Sequence, residues 1–441
     1  MKIFIETLGC PKNFNDSEVA AGILEENNHI IVNAPEEADV ILVNTCGFIN
    51  DAKTESIERI FDMAQYKEEG KKLIVSGCLS KRYGAELYEE MPEADLFIGV
   101  DEYEKLPELL SELDTRKVDV SGCPGAVLKS QPRKLPEHLY SATIKIAEGC
   151  NNICAYCIIP KIRGKYRSKR EEDILREAQE LADAGCKELI LIAQDVTYYG
   201  KDLYGEYRLA KLLKKLCRIE GIRWIRLMYC YEDRITDELI EVMAEEEKIC
   251  NYLDIPIQHA SDRVLRAMNR RSTAASIDDT LRRLTAAIPD IHVRTTLIVG
   301  FPGESEEDFE QLVEFVEREK FARLGVFTYS QEENTAAGEM ENQIDEELKD
   351  ERLDAIMRRQ IDISLAWNRE KVGKIFEVLV EERDEDGSYI GRTRYDAPEI
   401  DNSVIFTSEQ ELSAGDIVNV KITDAFDYDL VGIMVLSQEN E

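Results

Sequence analysis

The chain has 441 residues, of which 44% are hydrophobic, so it is long enough for two or three domains with separate cores. Its 89 acidic side chains outnumber its 55 basic ones and leave a formal net charge of −34. A field of that sign, acting over about 8 Å at physiological salt, disfavours nucleic acid as a partner and favours basic proteins.

The beginning of the chain and its apolar runs predict a cytoplasmic protein without a membrane span. The first apolar stretch is too short for the core of a signal peptide. No uninterrupted apolar run approaches the ~20 residues that cross a bilayer. In a reducing compartment, clustered members of the 11 cysteines should be metal ligands or catalytic groups and not disulfides.

Residues 1–112 alternate short apolar runs with helical patterns, which predicts a parallel α/β sheet. The predicted strands cover residues 2–8, 40–44, 73–76 and 96–100. Cys10, Cys46 and Cys78 follow the first three of them. Because ligands bind at the carboxyl ends of parallel strands, we expect these cysteines, the N-terminal triad, to form a metal site. Three separate buried thiols are the alternative, since free cysteine is among the most buried residue types.

Residues 113–138 combine prolines with mixed charge and are expected to form a linker. Over residues 139–372 the α/β rhythm resumes. The predicted strands there cover residues 142–147, 188–193, 224–228, 252–257, 292–298 and 323–328. Six successive β–α units predict an open, partial (β/α)6 barrel of the triosephosphate-isomerase type, closed by a long helix.

The loop after the first of these strands holds Cys150, Cys154 and Cys157, the loop triad. It lies at the carboxyl end of a strand, where barrel active sites are built. A four-iron cluster normally takes four cysteines, so three of them leave one iron open for a substrate or cofactor. Structural zinc is the alternative, but it usually takes a second Cys or His pair, and none follows here.

Other candidate residues lie in loops that follow predicted strands. Gln194 and Asp195 end one strand, and Gly300 and Gly303 follow another. The glycines allow a ligand to approach the backbone closely, although an ordinary strand-to-helix turn explains them equally well. His259, in a third loop, is either a buried structural histidine or a substrate contact.

A basic run over residues 161–170 follows the loop triad. It is either a solvated face or a set of contacts to carboxylates or substrate. The remaining cysteines share no spacing and are expected to be ordinary thiols. They are Cys123, Cys186, Cys217, Cys230 and Cys250.

Residues 373–441 carry short strand patterns over residues 375–381, 388–393, 417–423 and 430–436, which predict a small antiparallel β-barrel. The segment has 5 basic against 17 acidic residues, a net charge of −12. RNA affinity relies on Lys and Arg that neutralise phosphates, so this barrel should not bind tRNA and should attract a basic protein. Arg392 and Arg394 are candidates for contact with an acidic loop of that partner.

The loop triad, with Tyr156 just before its third cysteine, resembles the radical S-adenosylmethionine superfamily. Together with the N-terminal triad and the small barrel, it makes essentially the whole chain similar to the methylthiotransferases. The resemblance implies one [4Fe-4S] cluster on each triad, with the loop triad catalytic. It also implies S-adenosylmethionine contacts at Tyr156, Gln194, Asp195, Gly300 and Gly303.

In that family, one S-adenosylmethionine yields a 5′-deoxyadenosyl radical that removes hydrogen from an unactivated carbon, and a second donates a methyl group. The N-terminal cluster takes part in delivering sulfur. The C-terminal barrel resembles a TRAM domain, an OB-like module that recruits the substrate. An external electron donor is implied as well.

Two branches of the family compete. One modifies an adenosine in tRNA, and the other modifies the β-carbon of an aspartate in small-subunit ribosomal protein twelve. Residues 146–152, 158–164, 256–260 and 391–401 resemble the ribosomal-protein branch, and the acidic barrel agrees with it. A non-catalytic iron–sulfur scaffold or electron carrier is the alternative of another class.

Overall fold

The computed structural model describes residues 1–67, 70–122, 125, 127–136 and 139–436. These residues form an N-terminal parallel sheet, a central parallel sheet and a closed β-barrel, in chain order. Within these ranges no helix combines the length and apolar character that a bilayer span requires. Part of the predicted linker (residues 123, 124, 126, 137 and 138) lies outside the described residues, and Cys123 with it.

The N-terminal sheet has six parallel strands in the order β2–β1–β3–β4–β5–β6. The strands are β1 (Lys2–Thr7), β2 (Ile30–Val32), β3 (Val40–Thr45), β4 (Lys72–Ser76), β5 (Leu96–Ile98) and β6 (Lys117–Asp119). The helices are α1 (Pro11–Glu26), α2 (Asn50–Ala64), α3 (Gly77–Glu90) and α4 (Leu106–Ser111). Alternate strand residues face two cores: Leu42 packs with α1 and α4, and Val43 packs with α2 and α3.

The sequence predicts four of these six strands. The edge strands β2 and β6 escape prediction because each has only three residues and none of them is buried, whereas the equally short β5 is a fully buried apolar run. β6 falls inside residues 113–138, the segment predicted as a linker. The N-terminal sheet therefore continues into that segment.

The central domain contains six parallel strands in the order β14–β13–β12–β11–β10–β7, with β8 and β9 forming a separate antiparallel pair. The strands are β7 (Ser141–Lys145), β8 (Ala147–Glu148), β9 (Arg167–Ser168), β10 (Glu188–Ile192), β11 (Trp224–Leu227), β12 (Ile249–Asp254), β13 (His292–Val299) and β14 (Arg323–Thr328). β7 and β14 are the two ends of this sheet order, so the predicted open barrel of six β–α units is confirmed.

Helices cover the outer face of the central sheet and enclose its main core. The helices are α5 (Ile159–Arg163), α6 (Glu171–Asp183), α7 (Lys201–Tyr204), α8 (Leu209–Leu216), α9 (Asp237–Glu245), α10 (Asp262–Ala267), α11 (Ala274–Ala287), α12 (Glu306–Glu319) and α13 (Glu346–Arg369). The long helix α13 packs beside the last strand, where Gln360 donates to the Phe321 carbonyl at 3.0 Å.

The C-terminal barrel closes in the order β15–β16–β17–β19–β18. Its strands are β15 (Ile375–Arg383), β16 (Tyr389–Thr393), β17 (Val404–Thr407), β18 (Ile417–Ala425) and β19 (Leu430–Met434). The prediction lacks β17, which has only four residues. The β17–β19 pair is parallel and the other four pairs are antiparallel. A closed ring of five strands cannot alternate direction throughout, so one parallel pair is unavoidable.

The C-terminal barrel caps the amino-terminal end of the central sheet. Arg392 donates at 2.9 Å to Glu188, the first residue of β10. Asp396 accepts at 3.0 Å from Arg323, the first residue of β14. The barrel therefore sits opposite the strand ends that carry the cysteine loops.

The expectation that Arg392 and Arg394 face a partner is wrong. Arg392 is buried against Glu188, and Arg394 donates to the backbone carbonyls of Glu247 and Ile249 at 2.7 and 2.6 Å. Both arginines attach the barrel to the central domain. Asp396 and Asp401 of the barrel are used inside the molecule in the same way, so the barrel surface keeps its excess of acidic residues.

Candidate active site

All six cysteines of the two triads line one cavity of about 330 Å³. It lies where the carboxyl ends of the N-terminal and central strands face each other. The volume falls within the range of small-molecule and cofactor sites, roughly 300–1,000 Å³. We call it the central cavity.

The N-terminal triad is assembled by three strand-to-helix connections. Cys10 is the N-cap of α1, Cys46 follows β3, and Cys78 is the second residue of α3. Gly9 has a φ of +91°, and a Cβ placed on it would lie 2.8 Å from the Cys46 Cβ. A glycine is therefore required at position 9 for the Cys10 loop to approach Cys46.

The thiols of the N-terminal triad differ in acidity. Burial alone would raise the pKa of Cys10, but the Lys12 and Arg163 cations outweigh it and lower that pKa. Burial raises the pKa of Cys46 to about 12 and also raises the pKa of Cys78. A metal cluster bound here must displace protons from these two thiols, because thiolates are the ligands of iron.

The loop triad is held by backbone contacts. The Cys150 N–H donates to the Gly164 carbonyl at 3.1 Å, and the Cys157 N–H donates to the Cys154 carbonyl at 3.1 Å. Gly149, with φ +80°, precedes the loop, and a Cβ there would lie 2.3 Å from the Lys165 carbonyl. Burial raises the pKa of Cys150 to about 11 and raises that of Cys157 as well.

Each triad supplies three thiols, the ligand type of iron–sulfur clusters. Among the residues that the structure describes, no three His, Cys, Asp or Glu side chains are arranged to hold one metal ion. A tetrahedral zinc site needs its ligands around a single centre, whereas a four-iron cluster takes one cysteine for each iron. The donor chemistry and the size of the cavity therefore fit iron–sulfur clusters.

Two of the five predicted S-adenosylmethionine contacts line the central cavity. They are Tyr156 and Gln194, and the buried Oε1 of Gln194 has no hydrogen-bond partner in the described structure. Asp195 lies behind the wall, where its carboxylate accepts from Asn152 at 3.0 Å. Asn152 itself lines the cavity, so Asp195 positions a lining side chain and does not line the cavity.

Gly300 and Gly303 are not among the residues that line the central cavity. A Cβ on Gly300, where φ is +71°, would lie 2.2 Å from the Lys349 side chain. At Gly300 the close approach is therefore made by helix α13. The Gly303 N–H donates to the Asn342 carbonyl at 2.7 Å. The ligand roles of both glycines stay predictions.

His259 also lies outside the lining of the central cavity. It is fully buried, its Nδ1 accepts from the Ser261 N–H at 3.0 Å, and its Nε2 lies 3.5 Å from Glu304. Of the two sequence alternatives, these contacts favour a structural histidine.

Three of the six cations in the basic run over residues 161–170 are buried and paired within the chain, and the other three, Lys161, Lys165 and Arg170, are exposed. Arg163 is buried and donates to Asp16 at 2.9 Å and to the Cys78 Sγ at 3.3 Å. Arg167 and Lys169 pair with carboxylates of the chain, at 3.3 and 2.7 Å. The run therefore joins the loop triad to the N-terminal domain.

Several residues of the central cavity carry no motif. They are Lys12, Tyr229, Cys230, Tyr231 and Arg270, and Gln258 joins them from the family segment 256–260 without having been predicted as a site residue. Tyr229 and Gln258 have φ values of +62° and +76°, which non-glycine residues rarely adopt. Backbone strain of this kind gathers at functional sites. Their position in the sequence could have identified them as candidates, because both residues follow the carboxyl ends of predicted strands.

Three segments of the chain match known families. Residues 144–316 match the radical SAM superfamily, residues 2–99 match the uncharacterized protein family UPF0004, and residues 372–435 match the TRAM domain.

Full-length relatives are about half identical to the chain. The ribosomal protein uS12 methylthiotransferase RimO of Clostridioides difficile (strain 630) is 49% identical over 436 residues, covering 98% of each chain. The protein of the same name from Desulforamulus reducens is 51% identical over 433 residues, covering 97% of this chain and 98% of that protein.

Solved structures share the fold at low identity. The radical S-adenosylmethionine methyltransferase TsrM from Kitasatospora setae, with cobalamin and a [4Fe-4S] cluster bound, aligns with a TM-score of 0.56 and 14% identity. The alignment covers 76% of this chain and 77% of that one. The cobalamin-dependent S-adenosylmethionine radical enzyme OxsB aligns with a TM-score of 0.52 and 13% identity, over 82% of this chain and 57% of that one.

Proposed function

Because the chain belongs to the family of radical S-adenosylmethionine methylthiotransferases that modify ribosomal protein uS12, we propose that it methylthiolates the β-carbon of an aspartate in that protein. The support is nearly 50% identity along the whole length of the relatives. The tRNA branch is not favoured, because these relatives are named for a protein substrate and the barrel is acidic.

The enzyme uses [4Fe-4S] clusters and S-adenosylmethionine. The loop triad would hold the radical cluster, and the N-terminal triad would hold the auxiliary one. When bound, these groups supply a 5′-deoxyadenosyl radical for hydrogen removal, sulfur for insertion and a methyl group. An external reductant would deliver the electron. Residues 1–112, with β6 (Lys117–Asp119) completing their sheet, would be the auxiliary-cluster domain, and residues 139–372 and 373–441 would be the radical and TRAM domains.

The observation that carries this proposal is that both triads line the same cavity. A carbon within it is accessible from both sides, as hydrogen removal followed by sulfur insertion requires. The protein orients the reaction with buried polar groups: the Tyr231 hydroxyl lies 2.8 Å from the Cys154 Sγ, and Arg270 lies over the Tyr231 ring.

The test offers uS12 and tRNA together to the anaerobically reconstituted enzyme, with S-adenosylmethionine and a reductant. We expect mass spectrometry to find an added SCH3 group on one aspartate of uS12. Cys154→Ala should abolish 5′-deoxyadenosine formation, whereas the matched control Cys217→Ala, a buried thiol outside the cavity, should retain it. An SCH3 group on tRNA and none on uS12 would contradict the proposal.

Iron counting tests the auxiliary site separately. The wild-type enzyme should bind about eight irons, and the N-terminal triad replaced by alanine should leave about four. The triple variant should still cleave S-adenosylmethionine but should not insert sulfur. Full iron content in this variant would contradict the proposal that the N-terminal triad holds the auxiliary cluster.

A further inference from the structure

The walls of the central cavity carry positive charge in a strongly acidic chain. Three cations line it, Lys12, Arg163 and Arg270, and none of the described lining residues is Asp or Glu. The chain has 89 acidic residues, so the absence of Asp and Glu from these described walls departs strongly from the composition of the whole chain. Such a cavity favours an anionic occupant.

Two of the three cations already have carboxylate partners. Arg163 pairs with Asp16 at 2.9 Å, and Arg270 pairs with Glu232 at 2.7 Å. Lys12 differs from them. In the described part of the chain, no hydrogen bond or ion pair involves its Nζ, although the residue is only 8% exposed. It is the one cation of the described cavity wall that has no carboxylate partner.

The Lys12 ammonium is held in place by an aromatic ring. Its Nζ lies 3.4 Å from the centroid of the Tyr229 ring. Tyr229 adopts a φ of +62°, and its N–H donates to Asp254 at 3.1 Å. A cation–π contact offsets only part of the cost of burying a charge, so the ammonium is poised to accept a counter-ion.

The ammonium lies where the N-terminal and central domains meet at the wall of the central cavity. Lys12 is in the first turn of α1, two residues after Cys10. Tyr229 belongs to the loop after β11 in the domain that carries the loop triad. A substrate that enters this cavity to meet both clusters shares the cavity with the Lys12 ammonium.

We propose that Lys12 binds the side-chain carboxylate of the substrate aspartate and thereby selects aspartate over a neutral residue. This inference rests on the proposed function. An aspartate held by its carboxylate at Lys12 keeps its β-carbon one bond away, so the ion pair also sets the position of the reacting carbon between the triads. Lys12 is thus a specificity-determining residue.

The experiment pairs a change in the enzyme with the matching change in the substrate. Reconstituted wild-type holoenzyme and the Lys12→Gln variant are each titrated with uS12 and with uS12 whose modified aspartate is replaced by asparagine. The wild type should bind the aspartate form about 10–100-fold more tightly, the range of a charge-assisted hydrogen bond. Lys12→Gln should bind both forms with equal, weak affinity.

Two controls separate charge recognition from structure. Lys201→Gln removes another lysine whose Nζ lies over a tyrosine ring, at 5.2 Å from the Tyr207 centroid but on the surface, and it should keep the wild-type preference. Lys12→Arg keeps a cation and should keep both the iron content and a preference for aspartate. The KM for S-adenosylmethionine should be unchanged in all three variants.

The inference is overturned if Lys12→Gln, with full iron content, keeps the wild-type preference for aspartate. That is the case if the change lowers the affinity for the two forms of uS12 by the same factor, or leaves both affinities unchanged. It is also overturned if the variant raises only the KM for S-adenosylmethionine, because Lys12 would then serve the cofactor. A Lys12→Arg enzyme with full iron and no preference for aspartate contradicts it as well. A wild-type enzyme that never modifies uS12 would instead count against the proposed function.

Discussion

At the scale of single residues, Arg163 connects the two cysteine triads. It belongs to α5, just after the loop triad, and its guanidinium reaches Asp16, Glu148 and the Cys78 Sγ of the N-terminal triad. All four groups are buried, so their charges are little screened by water. The contact explains how two domains remote in sequence keep their cysteines at one cavity.

Replacing Arg163 with methionine should destabilise the apoprotein strongly. Asp16 and Glu148 would then share only Lys145, and an uncompensated buried charge costs about 3–5 kcal/mol. Urea unfolding of the variant should begin at a clearly lower concentration than in the wild type. The exposed Arg358, 3.6 Å from Asp354, is the control, and Arg358→Met should change stability by less than ~1 kcal/mol. Equal effects of the two changes would contradict the assigned role of Arg163.

The residues of the site were predictable where chemistry shows in the residue type. All six cysteines were found from strand ends and spacing, and the structure brings them to one cavity. Lys12 was not found, because a lysine near a chain end ordinarily indicates a solvated surface. Its burial arises only when α1 packs against the loop after β11, which is a tertiary event that local sequence does not encode.

At the scale of elements, His292 links three parts of the fold. It is the first residue of β13, and its ring lies between Trp367 of α13 and Tyr395 of the C-terminal barrel, with centroids at 5.0 and 4.3 Å. Burial, helped by the nearby Lys371 and Arg323 cations, lowers the pKa of His292 to about 3. The folded protein therefore keeps this ring neutral in mild acid, whereas the unfolded chain protonates it near pH 6.5.

His292 should make the protein less stable as pH falls from 6.5 towards 3. A base whose pKa is lower in the folded state loses about 1.4 kcal/mol of stability for each pH unit in that window, and nothing above it. Between pH 7 and pH 5, His292→Phe should lose about 2 kcal/mol less of its unfolding free energy than the wild type. Denaturant melts at the two pH values measure this. Identical losses in both proteins would show that His292 is protonated in the folded state.

The elements themselves were predicted well where strands are buried and long enough to show a pattern. All six main strands of the central sheet were found, because each contributes apolar residues to the core beneath the outer helices. The short strands β2, β6 and β17 were missed. The parallel β17–β19 pair was also missed, because pairing direction depends on ring closure and leaves no mark in the composition of either strand.

At the scale of the whole molecule, the acidic outer surface of the C-terminal barrel should attract a basic substrate. Glu382, Glu385 and Glu409 are exposed, and in the described structure none of them forms an ion pair. Reversing all three to lysine should raise the KM for uS12 several-fold at low salt, with little change at high salt, where the field is screened. Rates of uS12 modification against salt concentration measure the effect.

The matched control reverses three exposed acids of α12, Glu307, Glu310 and Glu314, which changes the net charge of the chain equally. If the two triple variants behave alike, total charge and not the barrel governs the encounter. Deletion of residues 373–441 is a poorer test of the barrel's role than these charge reversals. Removing the barrel would expose Trp224, Tyr252 and the buried pair Arg226–Glu188.

The placement of the barrel sets a minimum reach for anything that docks on it. The cysteines lie beyond the carboxyl ends of the central strands, and the barrel covers the opposite end. A strand as long as β13, with eight residues, spans about 25 Å. A protein bound to the barrel must therefore extend a segment of its chain along the side of the central sheet before its aspartate can enter the cavity. An isolated loop that is too short to reach from the barrel to the cavity gains nothing from binding the barrel. A tether raises the local concentration only when it spans both sites.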